Sequence, residues 1–542
     1  MPDRIRFAVL CSGAALTSAG IRMIERLLEC QEVVCAAICE IGPEPAPPGG
    51  WAWAAYRNWY STQPRFSIYE RFSSIPTITC ELAFNNSLGL YEISAQSLSR
   101  ITALNVDFCL HAVPLPLGSN LSGIARFGVW ALFYGKDGNP YGGVPPAFRE
   151  LEHGEPHLSV SLECLQTPRK ILRQGVVNAV LRSYSATLDN AVTAGIDFPA
   201  LVARQVLKTG TLPVIGTTSA VPRPPSAGQI TRFLLRMRAT WAWYQLTETI
   251  RSEMWNVGVV NSPIDTFLDG QYPCDIEWLQ SPGPRKFIAD PFAVDTPHGL
   301  QLFTEEFDYD RYQGYITSAL YRPGLPLSQS GVVIDEGVHM SYPFPLLYEG
   351  RLYCIPESQA RREVSIYRAE EGSSRWVKAG SLIRNFAALD STVIHHNGKW
   401  WLFCSCQDDL RDAKLYVWHA ADLFGPWEPH AMNPVKCDVR SSRPGGTPFI
   451  RNGELYRPAQ DSSTSYGCAL SINRVVRLSA DEFEEETVAQ IKPPAHAMYR
   501  DGIHTLSAAG SMTVLDGKRM TPIVALTLRR LRHKFRRLAR PG

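Results

Sequence analysis

The sequence predicts a two-part chain in which an α/β domain precedes an all-β domain, and three observations support this. The 542 residues are too many for one ordinary hydrophobic core. The first half alternates short apolar runs with segments of helical period, which is typical of strand–helix–strand units. From about residue 285 to 515 a unit of short strands and glycine turns repeats instead.

Composition excludes several classes of protein. Apolar residues make up 45% and charged residues 20%, which are globular values, and a net charge of +2 gives no reason to expect nucleic acid. No apolar run is long enough to span a membrane, and the run Ile5–Leu10 is too short for a signal peptide. The thirteen cysteines are odd in number, scattered and without a CxxC pair. We therefore expect a cytoplasmic chain, and neither disulfides nor a metal site.

The predicted α/β domain covers residues 1–218. Apolar runs at Ile5–Leu10, Glu32–Cys39 and Val106–Val113 indicate buried strands, and Ala19–Leu28 has helical spacing. This order favours a mainly parallel, Rossmann-like sheet. The first strand is followed by the single Gly13 rather than a GxGxxG sequence, so a dinucleotide site is not supported.

A linker separates the two predicted domains at residues 219–256. The stretch Ala220–Gly228 has the proline-rich composition of a linker. A helix is expected to follow, from about Ile230 to Met254. Almost nothing after it has helical period.

The second predicted domain, residues 257–520, is a five-bladed β-propeller. Its repeating strands have anchors spaced 49 to 57 residues apart, at Phe292, Phe344, Val393, Phe449 and Leu506. A period near 50 with only short strands is typical of one propeller blade per repeat. A two-sheet sandwich also has many short strands but would not give this regular period.

The first domain contains the motifs Phe127–Gly135, Tyr141–Leu151 and Gly154–Val177. They resemble the formyltransferase family, within a diffuse resemblance over roughly residues 1–215. The resemblance implies a Rossmann-like fold and transfer of a folate-carried formyl group to an amine. The family's catalytic Asn, His and Asp correspond to Ala131, Phe133 and Arg173. Ala and Phe donate no hydrogen bond and Arg accepts no proton, so we expect a scaffold that has lost formyl transfer.

The predicted propeller carries a series of short motifs: Ala289–Phe292, His339–Phe344, Ile355–Ser358, Leu389–Thr392, Gly425–Trp427, Arg443–Gly446, Arg457–Asp461 and Gly502–Thr505. These motifs resemble the N-terminal region of glucosamine inositolphosphorylceramide transferases. More distantly they resemble five-bladed glycoside hydrolases of the arabinanase and xylosidase type. The resemblance spans about residues 256–520.

Four polar residues start the predicted innermost strands of different blades: Asp290, Tyr342, Asp390 and His504. A propeller brings such positions together, so a shared site is expected there. The hydrolase resemblance makes Asp290, Asp390 and Glu357 the catalytic candidates, since glycosidic cleavage needs a protonated and an ionised carboxyl group.

The predicted substrate-binding residues are Tyr342, Arg443, Arg457, Gln460 and His504, because arginine and amide groups suit sugar hydroxyls, carboxylates or phosphates. Each candidate also has a structural interpretation. The aspartates are turn or cap residues in that case. Glu357 pairs with Arg361 or Arg362, and the arginines bind loops between blades.

The chain ends in a basic amphipathic segment, residues 521–542. Apolar residues lie at helical spacing, at Val524, Leu528, Leu531, Phe535 and Leu538, among seven basic residues and no acidic ones between Ile523 and Arg540. Such a helix suits an anionic membrane surface or a glycosyltransferase partner. Packing on the rest of the chain is an equal alternative, and nucleic acid a weaker one.

These patterns together favour a carbohydrate-handling protein that assembles or modifies a surface polysaccharide or glycolipid, with its ligand in the propeller funnel. Partners would be a sugar, glycan or glycolipid, and no cofactor is expected. One alternative is a non-catalytic glycan-binding scaffold made of two enzyme domains that have lost their activity. Another is a sugar N-formyltransferase with an atypical site, which would use formyltetrahydrofolate. The protein would be cytoplasmic, with peripheral attachment to the inner membrane face as an option.

Overall fold

The computed structural model describes most of the chain, which divides into two compact units, Met1–Ala242 and Trp243–Gly542. The boundary falls within the linker predicted at 219–256. The predicted amphipathic helix after Pro522 and the linker residues 219–224 lie outside the described residues, as do parts of the formyltransferase motifs. The described residues are 3–13, 15–42, 65–85, 90–112, 121, 123–135, 146–166, 168–218, 225–273, 275–325, 327–328, 331–370 and 376–522.

The first unit contains twelve described strands and six helices, followed by α7, which crosses the unit boundary. The strands are β1 (Ile5–Ser12), β2 (Ala15–Thr17), β3 (Val33–Ile41), β4 (Arg65–Ser67), β5 (Thr77–Cys80), β6 (Leu82–Asn85), β7 (Leu90–Ile93), β8 (Phe108–Ala112), β9 (Val129–Tyr134), β10 (His157–Cys164), β11 (Arg169–Asn178) and β12 (Gly216–Thr218). The helices are α1 (Ser18–Leu28), α2 (Ile68–Arg71), α3 (Ala95–Thr102), α4 (Phe148–His153), α5 (Tyr184–Gly195), α6 (Phe198–Thr209) and α7 (Ala227–Ile250).

Eight of these strands form one sheet in the order β12-β11-β10-β9-β8-β1-β3-β5. Within this sheet β9, β8, β1, β3 and β5 pair in parallel with their neighbours, whereas β9, β10, β11 and β12 pair antiparallel. β1 is buried at seven of its eight residues, as expected of a strand covered on both faces. The apolar runs at Ile5–Leu10, Glu32–Cys39 and Val106–Val113 correspond to β1, β3 and β8, and the helical spacing at Ala19–Leu28 to α1.

The second unit consists of short strands with two 3₁₀ turns, Ile264–Asp269 and Gln359–Arg361. Its strands are β13 (Arg251–Val260), β14 (Glu277–Trp278), β15 (Lys286–Thr296), β16 (Gly299–Asp308), β17 (Gln313–Tyr321), β18 (Gly331–Ile334), β19 (Ser341–Tyr348), β20 (Arg351–Glu357), β21 (Glu363–Ala369), β22 (Trp376–Arg384), β23 (Ala388–His396), β24 (Lys399–Cys406), β25 (Lys414–Ala420), β26 (Glu428–Pro429), β27 (Lys436–Cys437), β28 (Phe449–Arg451), β29 (Glu454–Asp461), β30 (Ala469–Leu478), β31 (Phe483–Ile491), β32 (Leu506–Ala509) and β33 (Met512–Pro522).

These strands form five sheets, which confirms the five-bladed propeller. Blades 1 to 4 are β15–β18, β19–β22, β23–β26 with β27 added, and β28–β31. Blade 5 has the order β32-β33-β13-β14, so it combines the first and last strands of the unit. β13 pairs with β33 from Arg251 opposite Pro522 to Val260 opposite Thr513. This pairing closes the ring, because one blade contains strands from both ends of the unit.

Ring closure corrects one predicted boundary. The helix expected to run to Met254 ends at Ile250, and Met254 lies in β13 opposite Arg519. The backbone of this segment hydrogen-bonds to a strand from the other end of the unit. Local periodicity does not report such a distant partner.

The anchors also agree with the blades, apart from one. Phe292, Phe344, Phe449 and Leu506 lie in the innermost strands β15, β19, β28 and β32. In β23 the equivalent residue is Thr392, one position before the expected Val393, because Thr392 follows the register shift as Phe292 and Phe344 do. No helix among the described residues is long and apolar enough to cross a membrane.

Candidate functional site

Three blades begin with the same irregularity. Asp290, Tyr342 and Asp390 lie at register shifts in β15, β19 and β23 and have left-handed φ angles of 49°, 45° and 51°. This conformation costs roughly 1–3 kcal/mol for a residue with a side chain. The equivalent bulges place one polar residue per blade at the start of the innermost strand, and all three are buried.

Asp290 links three blades. Its Oδ2 accepts a hydrogen bond from the backbone N–H of Tyr342 at 3.2 Å. Its Oδ1 accepts one from the Thr505 hydroxyl at 2.9 Å and lies 3.2 Å from Nε2 of His504. One carboxylate of blade 1 thus contacts blades 2 and 5.

His504 lies between two carboxylates, because its Nδ1 is 2.6 Å from Oδ2 of Asp516. Asp516 also accepts the backbone N–H groups of His504, Thr505 and Asp290, at 2.9, 3.1 and 3.2 Å. Sequence reasoning missed Asp516, which is fully buried in β33. The sequence feature that could have indicated Asp516 is an acidic residue within an otherwise apolar strand segment.

Asp390 makes the equivalent link on the other side of the ring. Its Oδ2 accepts hydrogen bonds from Nε of Arg443 and Nε2 of Gln460, both at 2.6 Å. Its backbone N–H donates to Oε2 of Glu357 at 3.2 Å. Arg443 also donates to Oδ1 of Asp412 at 2.9 Å. Blades 2, 3 and 4 therefore meet at Asp390.

The Tyr342 hydroxyl joins the same group. It lies 2.9 Å from the Thr392 hydroxyl and accepts the backbone N–H of Gly446 at 2.7 Å. Seven predicted residues are thus brought together by hydrogen bonds that pass from blade to blade: Asp290, Tyr342, Glu357, Asp390, Arg443, Gln460 and His504.

Two predicted interactions are placed differently. Arg457 lies outside this group: its guanidinium binds Glu485 at 2.6 and 3.0 Å and the carbonyl oxygens of Ser441 and Ser442. The proposed pairing of Glu357 with Arg361 or Arg362 does not occur, because those arginines bind Glu336 and Asp408.

The electrostatics favour a mixture of protonated and ionised groups. Burial raises the pKa of Asp290 to about 6, and the neighbouring carboxylates act in the same direction. His504 acts in the opposite direction and lowers this pKa. Burial and the adjacent Asp390 raise the pKa of Glu357 well above its usual range. Burial alone would lower the pKa of His504, but Asp516 and Asp290 outweigh it and the pKa is raised. Such opposed environments are what acid–base chemistry requires.

A second glutamate belongs to this group and was also missed. Glu305 lies opposite Ala289 in blade 1, as Glu357 lies opposite Ser341 in blade 2. Both glutamates follow their anchor phenylalanine at the same distance in the sequence, so alignment of the repeats would have found it.

Asp290, His504 and Asp516 each offer one ligand atom within a mutual 4.8 Å, so their spacing could hold a metal ion. The same atoms already contact each other through His504. The expectation that the chain has no metal site stays a prediction.

In the first unit, Ala131 and Phe133 are buried in β9, opposite Glu163 and Ser161 of β10. The Arg169 guanidinium lies over the Phe133 ring at 4.4 Å. Arg173 is in β11, opposite Leu162. The formyltransferase-like nature of this unit stays a prediction.

The fold and the buried polar side chains together define the class of protein. It is a five-bladed propeller in which side chains from all five blades come together near the starts of the inner strands. The family model described as glucosamine inositolphosphorylceramide transferase 1, N-terminal, matches residues 274–500. This match confirms the resemblance expected from the propeller motifs.

Curated relatives each match less than half of the chain. Glucosamine inositolphosphorylceramide transferase 1 of Oryza sativa subsp. japonica is 33% identical over 254 residues, 44% of this chain and 34% of the relative. The Arabidopsis thaliana protein of that name is 33% identical over 211 residues, 38% of this chain and 28% of the relative. The chain thus spans about a third of the length of these relatives.

Solved structures that align with part of this chain include Zg3597, a family 117 glycoside hydrolase of Zobellia galactanivorans. It has a TM-score of 0.33 at 15% identity and covers 44% of this chain and 88% of its own. An exo-beta-1,3-galactanase of Clostridium thermocellum has a TM-score of 0.31 at 13% identity, covering 39% of this chain and 53% of its own.

Proposed function

We propose that this protein handles carbohydrate in the biosynthesis or modification of a surface polysaccharide or glycolipid, and that the propeller site binds the glycan. The observation that carries the proposal is the convergence of buried carboxylates, an arginine and a histidine from separate blades. The named relatives that share this propeller are transferases of a glycolipid, and their similarity supports the same ligand class.

Within this proposal the carboxyl groups Asp290, Asp390 and Glu357 perform the chemistry. The elevated pKa values of Asp290 and Glu357 suit proton transfer, and Asp390 is held by the guanidinium of Arg443 at 2.6 Å. Tyr342, Arg443, Gln460 and His504 orient the ligand. The contacts of Arg457 support a different role for it, holding blade 4 together.

Glycan binding by the full chain tests this assignment. A panel of neutral methyl glycosides and glucosamine-containing oligosaccharides is titrated by calorimetry against the unaltered protein, Asp290→Asn and Asp390→Asn. Asp295→Asn is the matched control, because Asp295 is an exposed aspartate at the other end of the same strand as Asp290. Both site variants are expected to lose at least tenfold in affinity, and the control none.

Turnover of the same glycans separates an enzyme from a scaffold. Release or transfer of a sugar by the unaltered protein, lost in Asp290→Asn, supports the enzyme. Binding that persists without turnover supports a glycan-binding scaffold, which the hydrogen bonds of Asp390 to Arg443 and Gln460 also favour. Absence of any binding from the whole panel overturns the carbohydrate proposal.

For the first unit we propose a formyltransferase-like scaffold without formyl transfer. The apolar, buried positions of Ala131 and Phe133 support this, because neither offers a donor to a carbonyl oxygen. The full chain is then expected not to bind formyltetrahydrofolate in equilibrium dialysis. Binding would favour the alternative of a sugar N-formyltransferase.

For residues 521–542 we propose contact with an anionic membrane surface or a glycosyltransferase, which would place a cytoplasmic protein on the inner membrane face. The sequence of alternating basic and apolar residues supports it. The full chain should float with phosphatidylserine vesicles and a chain ending at Pro522 should not. Equal flotation of both chains contradicts the membrane part of the proposal.

A further inference from the structure

Glu305 and Glu357 occupy the same position in neighbouring blades. Each lies in the second strand of its blade, opposite the residue that precedes the bulge. Both side chains are buried. In a repeated architecture, equivalent residues are expected to make equivalent contacts, so a difference between them calls for a physical reason.

The two glutamates differ in what they bind. Oε2 of Glu357 accepts the N–H of Asp390, the bulge residue of the next blade. The equivalent partner of Glu305 would be the N–H of Tyr342, but Oδ2 of Asp290 already accepts it at 3.2 Å. Oε1 of Glu305 consequently has no hydrogen bond to the described residues, although its side chain is only 8% exposed.

The space around Oε1 of Glu305 is specifically shaped. Gly314 lies so close that a Cβ there would be 2.2 Å from Oε1, so a residue with a side chain would displace the carboxyl group. His339 accepts the N–H of Gly314 on Nδ1 at 2.9 Å, which leaves the proton of the neutral ring on Nε2. This Nε2 lies 3.8 Å from Oε1 of Glu305.

Four carboxyl groups act on Glu305. Burial is the main reason that the pKa of Glu305 is raised well above its usual range, and Asp290, Glu357, Asp390 and Asp516 add to it. Burial lowers the pKa of His339, so its ring contributes no positive charge at neutral pH.

We propose that Glu305 is a neutral, proton-bearing carboxyl group of the propeller site that donates its O–H to a hydroxyl or ring oxygen of the glycan. Oε1, which faces the N–H of His339, is the carbonyl oxygen, and Oε2 carries the proton. Glu357, a catalytic candidate of the proposed function, differs from Glu305 in that its Oε2 accepts the backbone N–H of Asp390. This assignment rests on the proposed glycan-binding function.

The pH dependence of binding tests the assignment. The full chain is titrated with the neutral methyl glycosides, which have no ionisable group, between pH 6 and 9, alongside Glu305→Gln and Glu357→Gln. Above the pKa of Glu305 the affinity of the unaltered protein should fall towards tenfold per pH unit, because one proton is required for binding. Glu305→Gln keeps an N–H donor of the same shape, so it should lack this fall above the pKa of Glu305 and keep only the pH dependence due to Asp290 and His504.

Glu357→Gln should keep the pH dependence of the unaltered protein, since Glu305 is intact. The assignment is overturned if the affinity of Glu357→Gln no longer falls in this way with pH while that of Glu305→Gln still does. The proton then belongs to Glu357. Melting temperatures of both variants verify that they fold.

Infrared spectroscopy gives a second readout that needs no ligand. Protein labelled with ¹³C-glutamate should show the carbonyl band of protonated glutamic acid at pH 7, reduced in Glu305→Gln. A band unchanged by this substitution overturns the neutral Glu305. Failure of every glycoside to bind overturns the proposed function instead, so the two failures are distinguishable.

Discussion

Removal of one hydroxyl group tests how the blades are held at the site. Tyr342 is fully buried, and its hydroxyl accepts the only hydrogen bond found for the N–H of Gly446 among the described residues. Tyr342→Phe leaves this buried N–H unpaired, whereas Thr392 keeps a second bond to the carbonyl oxygen of Asp390. One orphaned donor costs about 1–3 kcal/mol.

A loss of about 2 kcal/mol lowers the melting temperature of a large domain by roughly 4–8 °C. Differential scanning calorimetry of the full chain measures this shift. Tyr312→Phe is the control, because the Tyr312 ring is 74% exposed and its substitution should change stability by less than about 0.5 kcal/mol. A shift for Tyr342→Phe no larger than that of the control refutes the reasoning.

Three further predictions concern the same unit. Arg457→Met removes one of the two cations that bind the buried carboxylate of Glu485 and leaves Lys436 in place, so it should reduce the free energy of unfolding in urea by about 1.5–3 kcal/mol; retention of full stability contradicts this. Gly446→Ala places a Cβ 1.8 Å from a carbonyl oxygen of the next inner strand and should abolish soluble expression, whereas Gly453→Ala, also at positive φ but in open space, should cost only about 1 kcal/mol. For Glu363 burial opposes ionisation, but a lysine and two serines lower its pKa to about 2. Because that pKa lies below the unfolded value near 4.5, and solvent screens the partly exposed ion pair with Lys378, Glu363→Gln should cost about 1 kcal/mol at pH 7 and progressively less as pH falls from 4.5 to 2. A cost that is the same at pH 3 and pH 7 would show the ion pair to be unimportant.

The propeller was predictable because its signal is local and repeated. Each blade carries an apolar anchor and a glycine turn, and both follow from short-range strand chemistry, so Phe292, Phe344, Phe449 and Leu506 were placed in the correct strands. In blade 3 the equivalent position is the polar Thr392, so a search for apolar anchors selected its neighbour Val393 instead. The end of α7 was missed because its successor pairs with the far end of the unit.

The sequence by itself determined the number of blades and the polar residues that begin three of the inner strands. Only the tertiary structure decided what those residues bind, because the partners come from other blades. It separated Arg443, which reaches Asp390, from Arg457, which reaches Glu485. It also added Asp516 and Glu305, whose importance depends on ring closure and on which carboxylate takes each buried N–H. The physical reason is that periodicity reports a residue's own strand, whereas hydrogen bonds and burial depend on the register between strands distant in the sequence.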